Sequence, residues 1–401
     1  MLEFEEALAR VLAAVPATRR ENLSLHEAAG RVLAAPIQSP LDLPSFDNSA
    51  MDGYAVRAAD VVSANPGSPV CLRLVGKAPA GESFAGEVTA GTCVRLFTGS
   101  LLPSGADAVV MQEETRVEPG APGEVLILGP VGAGEYVRRR AGDVKQGATL
   151  AEAGEWLTAG RIGLLAAVGL SGVPVGRPPV VGLLATGSEL QEPGQPLVPG
   201  RIYESNRVAL AAVLKRSGAV PTIFPLVVDE LAATRTALAE AFGQCDVVIT
   251  SGGVSVGEMD FIKPAFAQMG GELQFWKVAI KPGRPFVFGR YQGKLLFGLP
   301  GNPVSALVTF LLLVRPALLR WQGATDVSLP VHPGVLAEPL ANPGERRHFM
   351  RVRLDLAGQV RSAGGQASHI LSSMAAANGL VDVPANTTLA TGASVPVLRW
   401  D

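Results

Sequence analysis

The spacing of apolar residues predicts a helix at the start of the chain and another around residues 143–173. Phe4, Leu8 and Val11 recur at helical spacing with charged residues between them, and GEWLTAGRIGLLAAVGL has one continuous apolar face. Between these stretches, from about 41 to 142, short alternating runs such as CLRLVGKA and TCVRLFTG are separated by Gly, Pro and Ser. We therefore predict a small all-β unit inserted between helical segments that pack together.

From about residue 177 to 323 the pattern becomes buried strand, glycine-rich loop and helix in alternation. The strand candidates are PVVGLLAT, PTIFPLVV, DVVIT and KLLFGLP, and helical stretches such as RVALAAVLKRSG and LAATRTALAEAF lie between them. This alternation predicts a parallel sheet covered on both faces, in which ligands bind at the carboxyl ends of the strands. The tail returns to period two in RRHFMRVRLDL, which is typical of a separate β domain.

Composition excludes several classes of protein. Lys and Arg number 34 against 36 Asp and Glu, a net charge of -2 that argues against a nucleic-acid partner. Three cysteines without a C-x-x-C pair and four scattered histidines argue against a zinc site. The longest nearly apolar run, 304–314, is shorter than the ~20 residues that a spanning helix needs, and the acidic start does not resemble a secretory signal. We expect a cytoplasmic protein with no membrane partner.

Three loops that follow predicted parallel strands concentrate glycine and small polar residues. Backbone N–H groups in such loops, and at the start of a following helix, can hold a phosphate. The alternative is that these glycines only form tight turns, since neither a P-loop nor a G-x-G-x-x-G pattern is present. The candidate binding residues are Gly187, Ser188, Ser251, Gly252, Gly253, Ser255, Pro300, Gly301, Asn302 and Pro303.

Three acids accompany these loops. Glu189 follows the first loop, Asp229 follows PTIFPLVV, and Asp260 closes SGGVSVGEMD. Asp229 and Asp260 each precede a helical stretch, so capping is an alternative explanation for both. Carboxylates beside a phosphate site would suit Mg²⁺, which prefers oxygen ligands.

The segment LQFWKVAIKPGRP supplies cations. If it is one extended strand, Lys277 and Lys281 share a face, and the following Pro-Gly turn presents Arg284. This trio could bind an anion, or the segment could be an edge strand with solvated lysines. The two interpretations have equal weight on the sequence alone.

The early part of the chain carries further polar candidates. Asp52 lies in DLPSFDNSAMDGYAV, which forms either a pair of turns or a polar site loop. Thr98 follows a predicted strand in RLFTGS, and Asp143 follows three arginines in RRRAGDV. These arginines are too few to indicate nucleic acid, and we expect them to pair with local acids or to serve an interface.

Together these segments resemble the molybdopterin molybdenumtransferases, that is, the bacterial MoeA proteins and the related E domain of gephyrin. The matching motifs occur in family order from residue 47 to 380, so the resemblance covers nearly the whole chain. They are DNSAMDGYAV, FTGSLLPSGADAVVMQEE, RRRAGDV, ATGSEL, RIYESN, SGGVSVGEMDF, WKVAIKPGRP, GLPGNPVSA and GGQASHILSSMAAANGL.

The resemblance implies an α/β multidomain fold of four parts. The central part is a parallel-sheet α/β domain of the molybdenum-cofactor-biosynthesis type, accompanied by an inserted β domain with a helical linker segment and by a C-terminal β domain. The corresponding boundaries are 1–40 and 143–176 for the helical linker, 41–142 for the inserted domain, 177–323 for the central pterin- and nucleotide-binding domain, and 324–401 for the C-terminal domain.

The implied reaction transfers molybdenum from molybdate to the dithiolene of adenylylated molybdopterin, hydrolyses the adenylate and releases AMP, with Mg²⁺ as cofactor. The thiolates that bind molybdenum would belong to the substrate, which accounts for the lack of Cys/His ligand motifs. Members of the family are homodimers whose site lies between the central domain of one subunit and the inserted domain of the other. A molybdopterin adenylyltransferase would be the upstream partner.

The resemblance also assigns roles, residue by residue. Asp52, Glu189, Asp143 and Asp260 would be catalytic, and Glu189, Asp229 and Asp260 would hold the metal. Many relatives have Asp where Ser188 stands, so this chain has one fewer negative charge there. The substrate-binding set would comprise the ten loop residues together with Thr98, Asp229, Lys277, Lys281, Arg284 and Arg346.

Two alternatives remain from the sequence. The central domain type also occurs in molybdopterin adenylyltransferases, which attach AMP to the pterin. A non-catalytic pterin-binding scaffold is the second alternative, although site acids on both halves of the chain argue against it.

Overall fold

The structure is a computed structural model that describes residues 1–254 and 260–400. Within these residues the chain forms two compact units, and it passes from the larger into the smaller and back again. The large unit comprises Met1–Ala35, Ala153–Leu157 and the described residues from Val173 onward, and the small unit comprises Pro36–Glu152 and Thr158–Gly172. The four domain boundaries from the sequence stay a prediction.

The small unit is built on a six-stranded sheet, as the short alternating runs predict. Gly53–Val56 pairs antiparallel with a neighbour on each side, and its apolar side chains pack into two buried clusters. In spatial order the strands are Ala108–Met111, Gly53–Val56, Thr92–Leu96, Val70–Ala78, Glu124–Ile127 and Thr115–Arg116. Its other elements are the strands Ile37–Gln38, Asn48–Ser49, Val137–Arg138 and Thr149–Ala151 and the helices Ala58–Val61, Gln112–Glu114 (3-10) and Ala159–Ala167.

The central sheet of the large unit has six strands, of which four are parallel. In spatial order they are Val220–Ile223, Val180–Ala185, Val247–Ser251, Lys294–Leu299, Pro285–Tyr291 and Glu272–Lys277. The four strands that the sequence predicts are the parallel ones, and the last two, which pair antiparallel, extend the sheet at one edge. The cause of the antiparallel pairing is a two-residue hairpin at Gln292 and Gly293, whose φ angles of 49° and 78° suit the turn that joins twisted antiparallel strands.

Helices cover both faces of the central sheet because alternate strand residues point to opposite sides. Ile249 belongs to the cluster that contains Leu210 of the first covering helix, whereas Val248 belongs to the cluster that contains Leu238. Continuous apolar strands are therefore buried on both faces, as expected for the interior of such a sheet. The helices of the large unit are Phe4–Ala13, Leu25–Ala28, Asn206–Arg216, Leu231–Gln244, Ile262–Gln268, Pro303–Thr309, Arg315–Trp321 and Leu371–Ala376.

A π-helical turn, Phe310–Val314, joins two of these helices into one continuous helix, Pro303–Trp321. The wide turn lies just before Pro316, which has no N–H to donate and would crowd the preceding turn of a regular helix. With 19 residues this helix is long and apolar enough to cross a membrane, but 89% of its most apolar window is buried inside the protein. It is therefore a core helix of the large unit, longer than the apolar run in the sequence suggested.

The C-terminal part of the large unit forms a second six-stranded sheet. Five of its strands close on themselves, because Arg347–Leu354 pairs with both Gln359–Ser362 and Gly379–Val383. In spatial order the strands are Ile280–Lys281, Arg347–Leu354, Gln359–Ser362, Val331–Leu336, Ser394–Arg399 and Gly379–Val383. Shorter strands elsewhere in the chain are Arg20–Ser24, Gly172–Gly176, Leu190–Gln191, Ile202–Tyr203, Leu340–Asn342 and Thr387–Leu389.

The segment LQFWKVAIKPGRP does not form a single strand. Glu272–Lys277 belongs to the central sheet, whereas Ile280–Lys281 pairs with Arg347–Leu354 in the C-terminal sheet. The prediction that Lys277 and Lys281 share one strand face is therefore wrong. A break between the two strands transfers the chain from one sheet to the other.

Candidate functional site

A cavity of about 670 Å³ lies at the carboxyl ends of the parallel strands, within the large unit. Its walls come from the loops after Val180–Ala185, Val247–Ser251 and Lys294–Leu299, as the sequence predicts for ligand sites in such a sheet. The structure thus brings together most of the loop candidates and all three acids. Those that line it are Gly187, Glu189, Asp229, Ser251, Gly252, Gly253, Asp260, Pro300, Gly301, Asn302 and Pro303.

The two remaining loop candidates are Ser188 and Ser255. Ser188 is not among the lining residues; its backbone N–H instead donates to Asp229 Oδ2 at 2.8 Å, and its hydroxyl accepts from the Asp229 N–H at 3.3 Å. It positions an acid of the cavity rather than lining it. Ser255 lies outside the described residues.

The glycines of the second loop allow a close approach to the first strand end. Gly252 and Gly253 have φ of 88° and 65°, and a Cβ on them would lie 2.6 Å from the Thr186 carbonyl oxygen and 2.8 Å from its hydroxyl. A larger residue at either position would push the two loops apart. These glycines therefore form turns and shape the cavity at once.

Asn206 ties two of the loops together, and sequence reasoning missed it. Its Nδ2 donates to Ser251 Oγ at 2.6 Å and to the Gly301 carbonyl at 2.7 Å. Asn206 begins the Asn206–Arg216 helix and lies in the RIYESN motif. That motif was a signal for its importance, although nothing in the motif showed which loops the amide would join.

The position of Asp229 has a cause other than helix capping. The Asp229 carboxylate reaches back to Ser188, while the N-cap of the following helix is Glu230, which makes no side-chain cap bond. The helix after Asp260 has Phe261 as its N-cap. Capping therefore does not account for the Asp229 carboxylate.

Glu189 and Glu204 complete the four carboxylates of the cavity. A Cβ on Gly187 would lie 2.6 Å from Glu189 Oε2, so the glycine lets this carboxylate fold back over its own loop. Glu204, which sequence reasoning missed, is buried and accepts from Arg207 Nε at 3.0 Å. The pairing with Arg207 neutralises one of the four charges.

The described part of the chain holds no ready-made group of three His, Cys, Asp or Glu side chains for a metal. Mg²⁺ does not need one, because it commonly binds one or two carboxylates, several waters and the phosphates of its substrate. Oxygen donors from Glu189, Asp229 and Asp260 on one cavity fit an ion of that kind. The metal set stays a prediction.

The predicted cations do not line the cavity. Lys277 ends the edge strand of the central sheet, and its Nζ lies 4.3 Å from the centroid of the Trp276 ring. Arg346 donates to the Ile280 carbonyl at 2.9 Å, and burial together with the nearby Arg284 lowers the pKa of its guanidinium. The role of these cations in binding an anion stays a prediction.

Several cations instead gather around a buried histidine of the C-terminal sheet. Burial, together with the charges of Lys281, Arg351 and Arg346, lowers the pKa of His348 to about 3. We call these three cations and Arg284, which lies near Arg346, the basic cluster. Burial and the positive charges keep His348 neutral throughout the physiological range.

Arg351 was missed by sequence reasoning because it occupies one position of an alternating strand pattern. It is fully buried, donates from Nε to Ser373 Oγ at 2.9 Å and from Nη2 to the Gly365 carbonyl at 2.7 Å. Burial lowers the pKa of its guanidinium to about 10. The residue anchors the GGQASHI loop to the C-terminal sheet.

Asp52 and Thr98 meet in the small unit. The Thr98 backbone N–H and hydroxyl donate to Asp52 Oδ1 at 2.8 and 2.9 Å, and these bonds lower the pKa of the Asp52 carboxyl. Asp52 is therefore an ionised, exposed carboxylate in a fixed orientation. Asp143 also belongs to the small unit, where its backbone N–H donates to the Leu43 carbonyl at 3.0 Å.

The arginines before Asp143 pair with local acids, as expected. Arg139 bonds Asp47 at 2.7 Å and Arg140 bonds Asp42 at 2.6 Å. These ion pairs tie the segment to the 42–56 loop. The arginines thus have a structural role within the small unit.

Comparison with known proteins decides the family. Residues 2–169 match the MoeA N-terminal region (domain I and II), 182–320 match a probable molybdopterin binding domain, and 333–400 match the MoeA C-terminal region (domain IV). A molybdopterin molybdenumtransferase of Haemophilus influenzae is 39% identical over 94% of this chain and 93% of its own length. The chain belongs to the MoeA family of molybdopterin molybdenumtransferases.

Other relatives support the same membership. Molybdopterin molybdenumtransferase 2 of Mycobacterium tuberculosis is 41% identical over 96% of both chains. The crystal structure of a MoeA protein from Pyrococcus horikoshii OT3 superposes with a TM-score of 0.86 at 31% identity and covers the whole of both chains. The multidomain α/β fold expected from the sequence is therefore confirmed, and this MoeA-family chain is an enzyme of molybdenum cofactor biosynthesis.

Proposed function

We propose that the chain transfers molybdenum from molybdate to the dithiolene of adenylylated molybdopterin, with hydrolysis of the adenylate and release of AMP, in the cytoplasm. The observation that supports this most directly is the cavity at the strand ends, where three glycine-rich loops, a helix start and four carboxylates meet. Such a site suits a phosphate-bearing ligand and a metal ion that prefers oxygen ligands.

In this proposal the loops hold the adenylate. Backbone N–H groups at Gly253 and Gly301 and the positive end of the dipole of the Pro303–Trp321 helix would face the phosphate oxygens. Asn206 keeps two of these loops at a fixed separation. The site is thereby shaped before the substrate arrives, which lowers the entropy cost of binding.

Glu189, with Asp229 or Asp260, would hold Mg²⁺. When bound, this ion would neutralise phosphate oxygens and polarise the bond that breaks. The Ser188 N–H donates to the Asp229 carboxylate and the Ser188 hydroxyl accepts from the Asp229 backbone N–H, so the acid keeps its orientation without a metal. Lys277 and Lys281 would neutralise the anionic oxygens of molybdate and pterin outside the cavity.

Asp52 would orient the water molecule that attacks the adenylate. A carboxylate that accepts two hydrogen bonds from Thr98 and has a lowered pKa is a weak base but a well-oriented acceptor. We infer that it positions the attacking water rather than removing its proton outright. Asp143 would support the same side of the reaction.

We further propose a homodimer in which Asp52 of one subunit serves the cavity of the other. Mixing two inactive variants tests this arrangement: Asp52→Ala and Glu189→Ala subunits, dissociated and reassociated in equal amounts. Half of the dimers would be mixed, each with one intact site, so about a quarter of wild-type activity should return. If no activity returns although mixed dimers form, both residues serve one subunit and the proposed arrangement is contradicted.

A molybdopterin adenylyltransferase would supply the substrate, and such an enzyme is also the rival assignment. Incubation with ATP and molybdopterin separates the two functions. The proposal predicts no net adenylylation of the pterin but molybdate-dependent release of AMP from adenylylated molybdopterin. Net formation of the adenylate would favour the rival, and pterin binding without turnover would favour a scaffold.

A further inference from the structure

The cavity is lined by more negative than positive side chains, which is unexpected for a site that would bind an anionic nucleotide. Four carboxylates line it, and Arg207 neutralises only Glu204. Among the described residues that line the cavity, His369 alone carries a side chain that can become a cation. The sequence of residues 255–259, Ser-Val-Gly-Glu-Met, contains no Lys, Arg or His that could add one.

The backbone places His369 beside the start of the long core helix. Val304 N–H donates to the Ser368 carbonyl at 3.2 Å, and Asn302 Nδ2 donates to Ser368 Oγ at 3.0 Å. The neighbouring residue, His369, is thereby carried to the GNP loop, at the positive end of the dipole of the long core helix. The C-terminal domain thus contributes one side chain to a cavity built by the central domain.

The imidazole of His369 is available for a ligand. It is exposed on the cavity wall and makes no hydrogen bond or ion pair within the part of the chain that the structure describes. The two other polar side chains of this corner, Asn302 and Ser368, are occupied with each other. A ring N–H of histidine can donate a hydrogen bond to a phosphate oxygen, and the bond is stronger when the imidazole carries a charge.

We propose that protonated His369 contacts the phosphate of the nucleotide portion of the substrate and sets the enzyme's preference for a phosphate-bearing nucleotide. This inference rests on the proposed function, because it assumes that the cavity takes the adenylate. His369 binds the phosphate from the side of the GNP loop, beside the start of the long core helix. Its charge compensates for the carboxylates that face the same ligand.

The test uses two probes that differ only in the phosphate, AMP and adenosine, and measures their dissociation constants by calorimetry at slightly acidic pH. His369→Gln should weaken AMP binding about tenfold, the size of one lost charge-assisted hydrogen bond, and leave adenosine binding within about twofold. His369→Arg should restore AMP binding to near the wild-type value. His332→Gln, which changes an exposed histidine of the C-terminal sheet, is the matched control and should bind AMP like the wild type.

Three outcomes would overturn the inference. Unchanged AMP binding in His369→Gln would remove the phosphate contact while leaving the proposed function intact. Equal weakening of AMP and adenosine without rescue by His369→Arg would show a general disturbance of the loop. A wild-type protein that binds neither probe would overturn the proposed adenylate site and this inference together.

Discussion

The large unit contains two regions of opposite charge, one at the loops of the central sheet and one at the C-terminal sheet. The cavity is acidic, and its walls are loops at the ends of parallel strands. In the basic cluster Lys281, Arg346 and Arg351 face the neutral His348, and Arg284 lies near Arg346. In the proposed function, the cavity would bind a metal and phosphate and the basic cluster would bind the free oxyanion.

The two regions also differ in how they hold their charged groups. Loop glycines and the amide of Asn206 position the acids of the cavity while leaving them open to a ligand. In the basic cluster Arg351 is fully buried, Lys281 and Arg346 are half-buried and Arg284 is exposed. Burial lowers the pKa values of Arg346, Arg351 and His348. A partly buried cation attracts an anion more strongly than a fully solvated one does.

The largest expected effect is on the acidic side. Glu189→Gln should reduce AMP release at least 100-fold, because the change removes a charge that holds the metal while keeping the shape of the side chain. The variant should elute and melt like the wild type. Glu230→Gln, next to Asp229 but not part of the cavity wall, is the matched control and should keep its activity. Wild-type turnover by a folded Glu189→Gln variant would contradict the proposal that the acidic cavity binds the metal and the phosphate.

The basic cluster should be visible in the pH dependence of stability. Unfolded histidine binds a proton near pH 6.5, whereas folded His348 does so near 3, so the unfolded state binds more protons between these values. Stability should therefore fall as pH decreases through this window, by about 2 kcal/mol between pH 6.5 and 5 from this group alone. Urea unfolding of His348→Gln should show a correspondingly smaller loss over that interval. The exposed His332→Gln should keep the wild-type slope, and equal slopes in all three proteins would contradict a buried, electropositive cluster.

The smallest effect expected is on molybdate affinity. Lys281→Gln should raise the KM for molybdate about tenfold and change that for adenylylated molybdopterin little, because one charge contact to an oxyanion contributes about 1.5–3 kcal/mol. Steady-state kinetics with each substrate varied in turn would measure both. Lys145→Gln, a lysine of the small unit, serves as control. Equal increases in both KM values would show that the two regions do not divide the substrates.

Much of this arrangement could be predicted from the sequence. Continuous apolar runs identified the four parallel strands, and glycine after three of them identified the cavity, since ligand loops follow such strands. The glycine and proline excess, 46 and 31 residues of 401, is concentrated partly in these loops. The apolar runs are continuous because the inner strands of the sheet are buried on both faces, although the edge strand Val220–Ile223 is partly exposed.

The basic cluster could not be predicted, for a physical reason. The alternation in residues 272–281 is the same whether the segment forms one strand or two, and only tertiary pairing sends Ile280–Lys281 to the C-terminal sheet. Arg351 lies among apolar strand residues, and its partner Ser373 is 22 positions away. The position of His369 at the cavity could not be predicted either, because it depends on the long-range contacts of Ser368.

The most direct test of the central claim is the stoichiometry of one reaction. Purified protein, adenylylated molybdopterin, Mg²⁺ and molybdate are incubated, and AMP and pterin-bound molybdenum are measured in the same sample. The account predicts one molybdenum incorporated per AMP released, and no pterin-bound molybdenum with Glu189→Gln. AMP release that leaves the pterin free of molybdenum, with molybdate in excess, would contradict it.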